Sequence, residues 1–568
     1  MKMTKLFTAL LAIFAVQILN AQDVEQLIKA PWLTITGGFQ TSGSAYSGFN
    51  MEGRRDPFGY QISANINFNI KGVLDIPFSM YLSSKNKTFN APAFNIAGIS
   101  PRYKWITLHM GVRAMDFSQY TYSGTNFTGG GIELMPEKSY VRGKAFYGLL
   151  NKKILAGDTS SPVVVTPAYS RYGGGAMVNL GTQENNVDVI VFAAADRKKS
   201  LRLDSNIIVV PKDNIVVGLN TKQKIGEMFL ISASYGFSSF SLNSNLSKGM
   251  FEKNMSRIFS HAIDLTTDVK TKWFSVGVSA RYIDPNYQTM GALYMTNDVA
   301  DITLNAASAF WQNKINVSGS FGFQRNNVKK QLSSTDKNII GNINIAASEI
   351  VKNLGLSFSY SNYNTSAEAV QVIINDSIKY AQINNNLSFN VSYSFGGRAS
   401  KDRALRHSLS LSAMMQGVQT LNNEFSGLSN QTNNISNVSV SYGVGVSSIG
   451  LNGSINGSIG SSQNSGGSKN LTSNIGATLS KSFFRKTLQT SFGYTAGMSG
   501  KNTSNNFRFT TGCVLKKAHR FSLSMGYLAR NIVSDGDKKK TGEFTATLSY
   551  GYNFNLDVVN SIKSIKRK

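Results

Sequence analysis

A chain of 568 residues with 51 Gly, 34 Phe, 23 Tyr, 10 Pro and one Cys, only 16% of it charged, is not composed like a string of soluble domains, in which about a quarter of residues are charged. The single Cys513 excludes an internal disulfide framework, and its place in Phe507–Leu515 reads as a small residue on a strand face. A formal net charge of +27 without a compact nucleic-acid motif points to anionic surfaces or anionic solutes, and no nucleic-acid partner is expected.

The chain opens with the pattern of an export signal. Lys2 and Lys5 precede an apolar run from Phe7 to Val16, which is too short to span a bilayer as a helix. Cleavage is expected between Ala21 and Gln22, making residues 1–21 a signal peptide. No Cys follows the apolar run, so a lipoprotein anchor is not expected. Residues 22–31 are expected to be a short periplasmic segment. From there on no apolar stretch has helical spanning length, so the chain is either soluble after export or crosses a membrane as strands.

Alternation decides between these. In Tyr60–Ile70 the residues Tyr60, Ile62, Ala64, Ile66, Phe68 and Ile70 fall on one face and Gln61, Ser63, Asn65, Asn67 and Asn69 on the other. The same two-residue period recurs in Phe229–Phe237, Phe274–Tyr282, Leu387–Phe395, Val438–Val446, Phe521–Ala529 and Phe544–Phe554. Helical recurrence at three and four residues is not found over any length. The segments run to about 9–12 residues, the reach a tilted strand needs to cross a bilayer. Tyr60, Tyr282, Tyr527 and Tyr552 stand at the ends of apolar faces, as an interfacial girdle requires.

Connections alternate in length. Lys71–Val73, Pro136–Lys138, Gln312–Asn313 and Leu515–Arg520 are short; Ser47–Phe58, Asn151–Tyr172, Asn243–Ser260, Asn364–Lys379 and Gly417–Asn433 are long and polar. Short turns on one side and long loops on the other belong to transmembrane barrels. The reading is therefore an all-β fold. It is a closed antiparallel transmembrane β-barrel of about 26 strands (range 22–26) over residues 32–556, with a basic tail at 557–568. No separate plug domain is expected, because ten residues at 22–31 are far too few for one.

The expected signal end at Asn20–Gln22, the immediate entry into Trp32–Gly38 and the many Ser/Asn-rich strands resemble large outer-membrane β-barrel proteins of the Bacteroidetes type. The run Tyr287–Asp298, followed by Ile302–Asn305, resembles a loop-and-strand segment of that group. The resemblance spans nearly the whole chain and implies a location in the cell outer membrane. It is almost silent on function. The chain departs from some outer-membrane barrels in continuing past Phe554 to Lys568 instead of ending on an aromatic residue.

A wall of this size encloses a wide lumen, so the expected role is a pore or conduit whose lumen is filled by inward loops or by a partner protein. Asn151–Tyr172 and Asp196–Asn214 are the expected filling loops. The alternatives are an anchor or partner in a secretion or cell-surface assembly and, least favoured, an outer-membrane hydrolase. Arg113, Arg142, Lys144 and Arg281 fall on or near polar faces and are the candidate basic lining of the lumen. Lys85, Lys87, Lys198, Lys199, Lys329 and Lys330 sit in expected outer loops, where they would meet lipid and lipopolysaccharide. Among four His, His109 should face inward, and His407 and His519 lie near turns. His261 with Asp264 or Asp268 is the least implausible catalytic set. No catalytic, cofactor or metal residues are assigned. Asn297, Asp298 and Asp301 read more simply as turn chemistry than as a cation site.

Overall fold

The structure is a computed structural model. It describes residues 31–84, 96–154, 167–201, 209–246, 249, 251–252, 256–292, 294–331, 337–366, 368–369, 380–396, 405–422, 431–465, 467, 469–534 and 537–557. The expected signal peptide and nearly all of the basic tail lie outside these residues.

The wall starts with β1 (Leu33–Phe49), β2 (Phe58–Ile70), β3 (Leu74–Ser83) and a broken β4 (Ile96–Ile99 with Arg102–Tyr103). It continues with β5 (Ile106–Ala114), β6 (Asn126–Leu134), β7 (Val141–Asn151), β8 (Arg171–Gly181) and β9 (Asn186–Asp196). Then come β10 (Asp213–Ile225), β11 (Phe229–Ser241), β12 (Arg257–Lys270), β13 (Phe274–Ile283) and β14 (Val299–Phe310). These are followed by β15 (Ile315–Arg325), β16 (Lys337–Ser348), β17 (Leu354–Ser366), β18 (Tyr380–Phe395) and β19 (Leu405–Asn422). The last are β20 (Gln431–Val446), β21 (Leu451–Asn464), β22 (Asn470–Phe483), β23 (Leu488–Ser499), β24 (Asn502–Leu515), β25 (His519–Ser534) and β26 (Asp537–Asp557).

Each strand pairs antiparallel with its chain neighbours, and β26 returns to β1 from Thr34↔Asp557 to Phe49↔Gly542. The sheet has 27 hydrogen-bonded segments, but both pieces of β4 lie between β3 and β5, so the closed ring has 26 positions. Closure is what allows this much strand: an open sheet would leave two unpaired edges, which lipid cannot hydrogen-bond.

Two-residue alternation sorts the faces. In β9, Val189 and Val191 are exposed on the outside while Ile190 and Phe192 are fully buried on the inside. Exposed outward aromatics collect at both rims. Trp273, Phe274, Phe310, Trp311 and Phe484 stand at the end carrying the short turns, and Phe49, Phe58, Phe323 and Tyr527 near the loop end. An exposed apolar band edged by aromatic rings is the surface lipid selects. Tight turns carry left-handed backbone at Lys71 and Gly72 (φ 55° and 68°), and Gly at the second position adopts it without a Cβ penalty.

One expected loop is strand at both of its ends: pairing of β19 with β20 runs up to Thr420↔Gln431, inside the Gly417–Asn433 segment, of which 423–430 lie outside the described residues. Polar side chains there mark the height at which the wall leaves the bilayer. They do not stop the backbone ladder, which continues in water.

The in–out assignment predicts a sharp asymmetry between neighbours. Leu548 is outward and exposed, whereas Thr547 faces in, opposite Ser44 and Ser524. Leu548→Arg should destabilise the folded barrel by about 2–4 kcal/mol and Thr547→Arg by well under half of that, as read by urea unfolding in lipid vesicles. Equal losses would contradict the assignment.

Candidate functional site

The inner wall is not uniform. From β6 to β11 it carries a continuous apolar patch: Phe127, Phe146, Met177, Ile190, Phe192, Val216 and Phe240 are all buried. A large apolar patch cannot stay stable against a water-filled lumen, so something must cover it. Two connections do.

The first joins β5 to β6. In it Met115, Phe117, Tyr120, Thr121 and Tyr122 are buried. The Asp116 carboxylate closes the segment by accepting from the Gly124 amide (3.0 Å) and the Ser123 hydroxyl (3.2 Å). The Phe117 amide donates to the Tyr122 carbonyl at 2.9 Å. The Tyr122 ring lies 4.4 Å from Phe146 and 5.4 Å from Phe192, and the Phe117 ring 5.6 Å from Phe146.

The second joins β13 to β14 and holds the run Tyr287–Asp298, one part of the sequence resemblance, entered through Asp284. Its ends meet, with the Asp298 amide donating to the Asp284 carbonyl at 3.2 Å. The buried Asp284 carboxylate accepts from the His261 amide at 2.8 Å and pairs with Lys329 Nζ at 2.9 Å. Tyr287 and Thr289 are fully buried.

The two segments lock together. Tyr122 and Gly291 form a parallel bridge, and the Ser123 amide donates to the Gly291 carbonyl at 3.0 Å. The Tyr287 hydroxyl donates to the Tyr120 carbonyl, and Thr289 Oγ1 to the Thr121 carbonyl, both at 2.6 Å. Three inward wall residues hold the second segment by its backbone. Asn214 Oδ1 accepts from the Met290 amide (3.0 Å), Ser238 Oγ donates to the Gln288 carbonyl (2.5 Å) and Ser260 Oγ to the Asn286 carbonyl (3.3 Å).

Glycine makes the seat. A Cβ at Gly236 of β11 would lie 2.2 Å from the Tyr287 hydroxyl, and one at Gly175 of β8 would lie 2.4 Å from the Phe117 ring. The other half of the inner wall is polar and self-bonded. Asn342 Nδ2 meets Ser320 Oγ at 2.7 Å, and the hydroxyls of Ser359 and Ser388 lie 2.6 Å apart, as those of Ser412 and Ser439 do at 2.5 Å.

The four basic residues singled out from sequence all face inward, and all are engaged. Arg113 donates to Ser79 Oγ (2.5 Å) and the Gly98 carbonyl, and Arg142 to the carbonyls of Gly181 (3.0 Å) and Thr182 (2.7 Å). Lys144 donates to the Asp116 carbonyl and lies over the Phe117 ring, which ties the first segment to β7. Arg281 binds the Asp301 carboxylate at 2.5 and 2.8 Å. Asp301 is thus committed to Arg281, and Asp298 Oδ1 caps the Val328 amide at 2.9 Å.

The expected filling loops are described only at their bases, 155–166 and 202–208 lying outside the described residues. There they pair with one another, the Arg197 amide donating to the Ser170 carbonyl at 2.8 Å. The described residues that enter the lumen carry a sequence signal of their own: aromatic rings at Phe117, Tyr120 and Tyr122 in a connection too apolar for an exposed loop.

His109 is inward, its Nδ1 2.9 Å from Ser100 Oγ. The other three His are outward, each with Nδ1 against a tyrosine hydroxyl on a neighbouring strand: His261 with Tyr235 (2.8 Å), His407 with Tyr442 (2.7 Å) and His519 with Tyr550 (2.9 Å). Strand parity puts Asp264 and Asp268 on the face opposite His261, so the candidate catalytic set is not assembled. Lys329, expected to meet lipid head groups, is instead the partner of Asp284. Lys85 and Lys87 lie outside the described residues.

A closed antiparallel wall with a lipid-facing apolar exterior and a polar, loop-bearing interior defines a transmembrane β-barrel of the outer-membrane class. No protein-family model and no curated protein matches the chain. Among solved structures it is similar to the P pilus usher (PapC) translocation pore, at 9% identity and a TM-score of 0.36, over 92% of this chain and 99% of that one. It is also similar to the apoprotein form of the FrpB iron transporter from Neisseria meningitidis, at 10% identity and a TM-score of 0.40, over 91% and 81% of the two chains. The siderophore receptor PirA from Pseudomonas aeruginosa is similar at 8% identity and a TM-score of 0.34, over 92% and 80%. The superpositions are loose.

The glycine seat can be tested directly. Gly236→Leu should displace both inward segments while leaving the ring closed. Hydrogen exchange at the amides of Phe117, Ser123 and Met290 should speed up markedly, with an unchanged heat-dependent gel shift. Unaltered protection would show that the seat does not hold them.

Proposed function

We propose that the protein is a passive outer-membrane pore for small hydrophilic solutes, narrowed from one side by its own two interlocked segments. The observation that supports this is the division of the lumen. The segments 115–125 and 284–298 are short, and they pack against the wall from β5 to β14, with further contacts only to Val328, Lys329 and a short pairing with 368–369 among the described residues. The wall from β15 to β25 presents Ser, Asn and Thr to the lumen. A ring of 26 strands encloses far more space than these two segments occupy, so among the described residues a polar passage is left beside them. The self-bonded hydroxyl and amide side chains there offer water continuous partners at little cost in desolvation.

The segments would act as a fixed constriction. Their closure depends on neutral phenols in a dry seat. Burial pushes the Tyr122 hydroxyl up to about 12, and burial raises Tyr120 and Tyr287 as well. Since the seated value lies above the free one of about 10, this contribution is whole below pH 10 and is lost as pH climbs toward 12.

Single-channel recording in planar bilayers tests the reading. The native protein should give a steady open current. Replacing Phe117–Gly124 by a Gly-Gly link should raise it at least about twofold, because the bare wall encloses a much wider channel. Gly236→Leu should do the same without shortening the chain. A native protein that stays closed, and purifies with a stoichiometric protein in its lumen, would replace this reading with that of a secretion or surface-assembly conduit. Independently, native current should rise as pH is taken from about 9 to about 12; a flat profile would mean that the phenols do not hold the constriction.

A further inference from the structure

We infer that the lumen is selective for small anions, and that its selectivity is set by Arg406, Arg508 and Arg520 on the polar arc rather than by the basic residues of the loop-bearing half. The inference rests on the pore reading above.

Its ground is an imbalance of charge around the ring. In the loop-bearing half, several inward basic residues face inward carboxylates, and Arg113 and Arg142 are spent on wall hydroxyl and carbonyl oxygens. Arg102 pairs with Asp75 at 3.5 Å, and Arg281 with Asp301, while Asp264 lies directly opposite Arg281 and Glu133 opposite Lys144. From β15 to β25, by contrast, no wall strand contains an Asp or a Glu.

In that arc Arg406, Arg508 and Arg520 alternate with outward apolar neighbours. Leu405, Phe507 and Phe521 are all exposed to lipid, so the three guanidinium groups belong to the lumen face. All three are exposed and make no hydrogen bond or ion pair among the described residues. Each sits directly across from glycine: Arg406 from Gly445, Arg508 from Gly493 and Gly526, Arg520 from Gly551. With no charged or hydrogen-bonding side chain directly across (Arg520 faces only Gly551 and Val514), each charge is free to meet a solute.

The placement follows the direction of transit. Arg530 near the loop end shares Glu543 with Arg54. Below it, the register sets Arg508 level with Gly526, four residues down β25, and Arg520 six further on toward the turns. At roughly 3.3 Å per residue these steps are about 13 and 20 Å, so a permeating anion passes from one guanidinium to the next. This column stands half the ring away from β11, on which the inward segments sit, so the constriction presses the passage toward it. A guanidinium stays charged at any working pH, and low-dielectric walls concentrate its field in a narrow lumen.

Arg406 has a further feature. It lines a recess of about 590 Å³ at the turn end with Ser408, Asn452, Ser454, Thr478 and Ser480, in which it is the one guanidinium among the described residues. One fixed positive charge ringed by hydroxyl and amide donors suits an oxyanion such as inorganic phosphate.

The test is the reversal potential in a potassium chloride gradient, with folding checked by the heat-dependent gel shift. The native pore should prefer chloride. The triple variant Arg406→Gln, Arg508→Gln, Arg520→Gln should lose that preference by about fivefold or more, the effect of a unit charge near contact distance in water. Arg142→Gln, whose guanidinium is spent on wall carbonyls, should leave it within about twofold. Inorganic phosphate should reduce chloride current through the native pore, and Arg406→Gln alone should weaken that block. An open native pore that prefers potassium, or a triple variant with unchanged preference, overturns the inference while leaving the pore reading intact. Equal phosphate block in native protein and Arg406→Gln removes the recess as an anion site. Absence of current in native protein and Gly236→Leu alike overturns the pore reading, and this inference with it.

Discussion

Everything in this molecule depends on the ladder between β26 and β1. In hydrocarbon an unpaired amide or carbonyl has no water to turn to, and each one costs several kcal/mol. The register from Thr34↔Asp557 to Phe49↔Gly542 gives partners to both ends of the sheet at once. Once the ring is closed, lateral position is fixed for every strand, and two-residue alternation alone decides which side chains meet lipid and which meet the lumen. The aromatic rims, the glycine seat and the column of arginines are all consequences of that parity.

The interior joins two kinds of wall. One half is apolar enough to require cover and takes it from two connections of its own chain. The other is polar enough to stand wet. Tyr122, Tyr287 and Phe117 gain burial by leaving water, and Asn214, Ser238 and Ser260 answer the carbonyls and amides that the second segment brings with it. An inward segment without those three would carry unpaired backbone groups into a dry place, so the apolar patch and its polar pegs work only together. The division of charge follows the same line: paired where the wall is covered, unpaired where it is open.

Strand number, facing and closure were legible because they rest on a local rule, and Tyr60–Ile70 or Phe544–Phe554 display it without any tertiary knowledge. The strand tops were less legible. Gly417–Asn433 reads as loop because polarity marks where lipid ends, while hydrogen bonding carries the strand further. The inward segments were missed for a different reason. Burial of Phe117 or Tyr287 depends on glycines in strands far away along the chain, and no window around either residue contains Gly175 or Gly236. The basic residues illustrate the same limit: alternation alone puts Arg113, Arg142, Lys144 and Arg281 on or near polar faces. What engages them is the Gly98, Gly181 and Thr182 carbonyls, Asp116 and Asp301, on neighbouring strands or connections that only register brings near. His261 and Asp264 are close in sequence yet separated by the thickness of the wall.

The interlock of the two inward segments also bears on how the barrel is made. The residues that take part in it run from Met115 to Val299 and so precede β15 and every later strand. The Tyr122–Gly291 bridge spans strands β6 to β13 from the inside and therefore acts as a chord across an arc, holding the growing sheet bent before its last dozen strands are laid down. A half-built wall that is already curved brings β1 round toward the place where β26 will arrive, which shortens the search for the final seam.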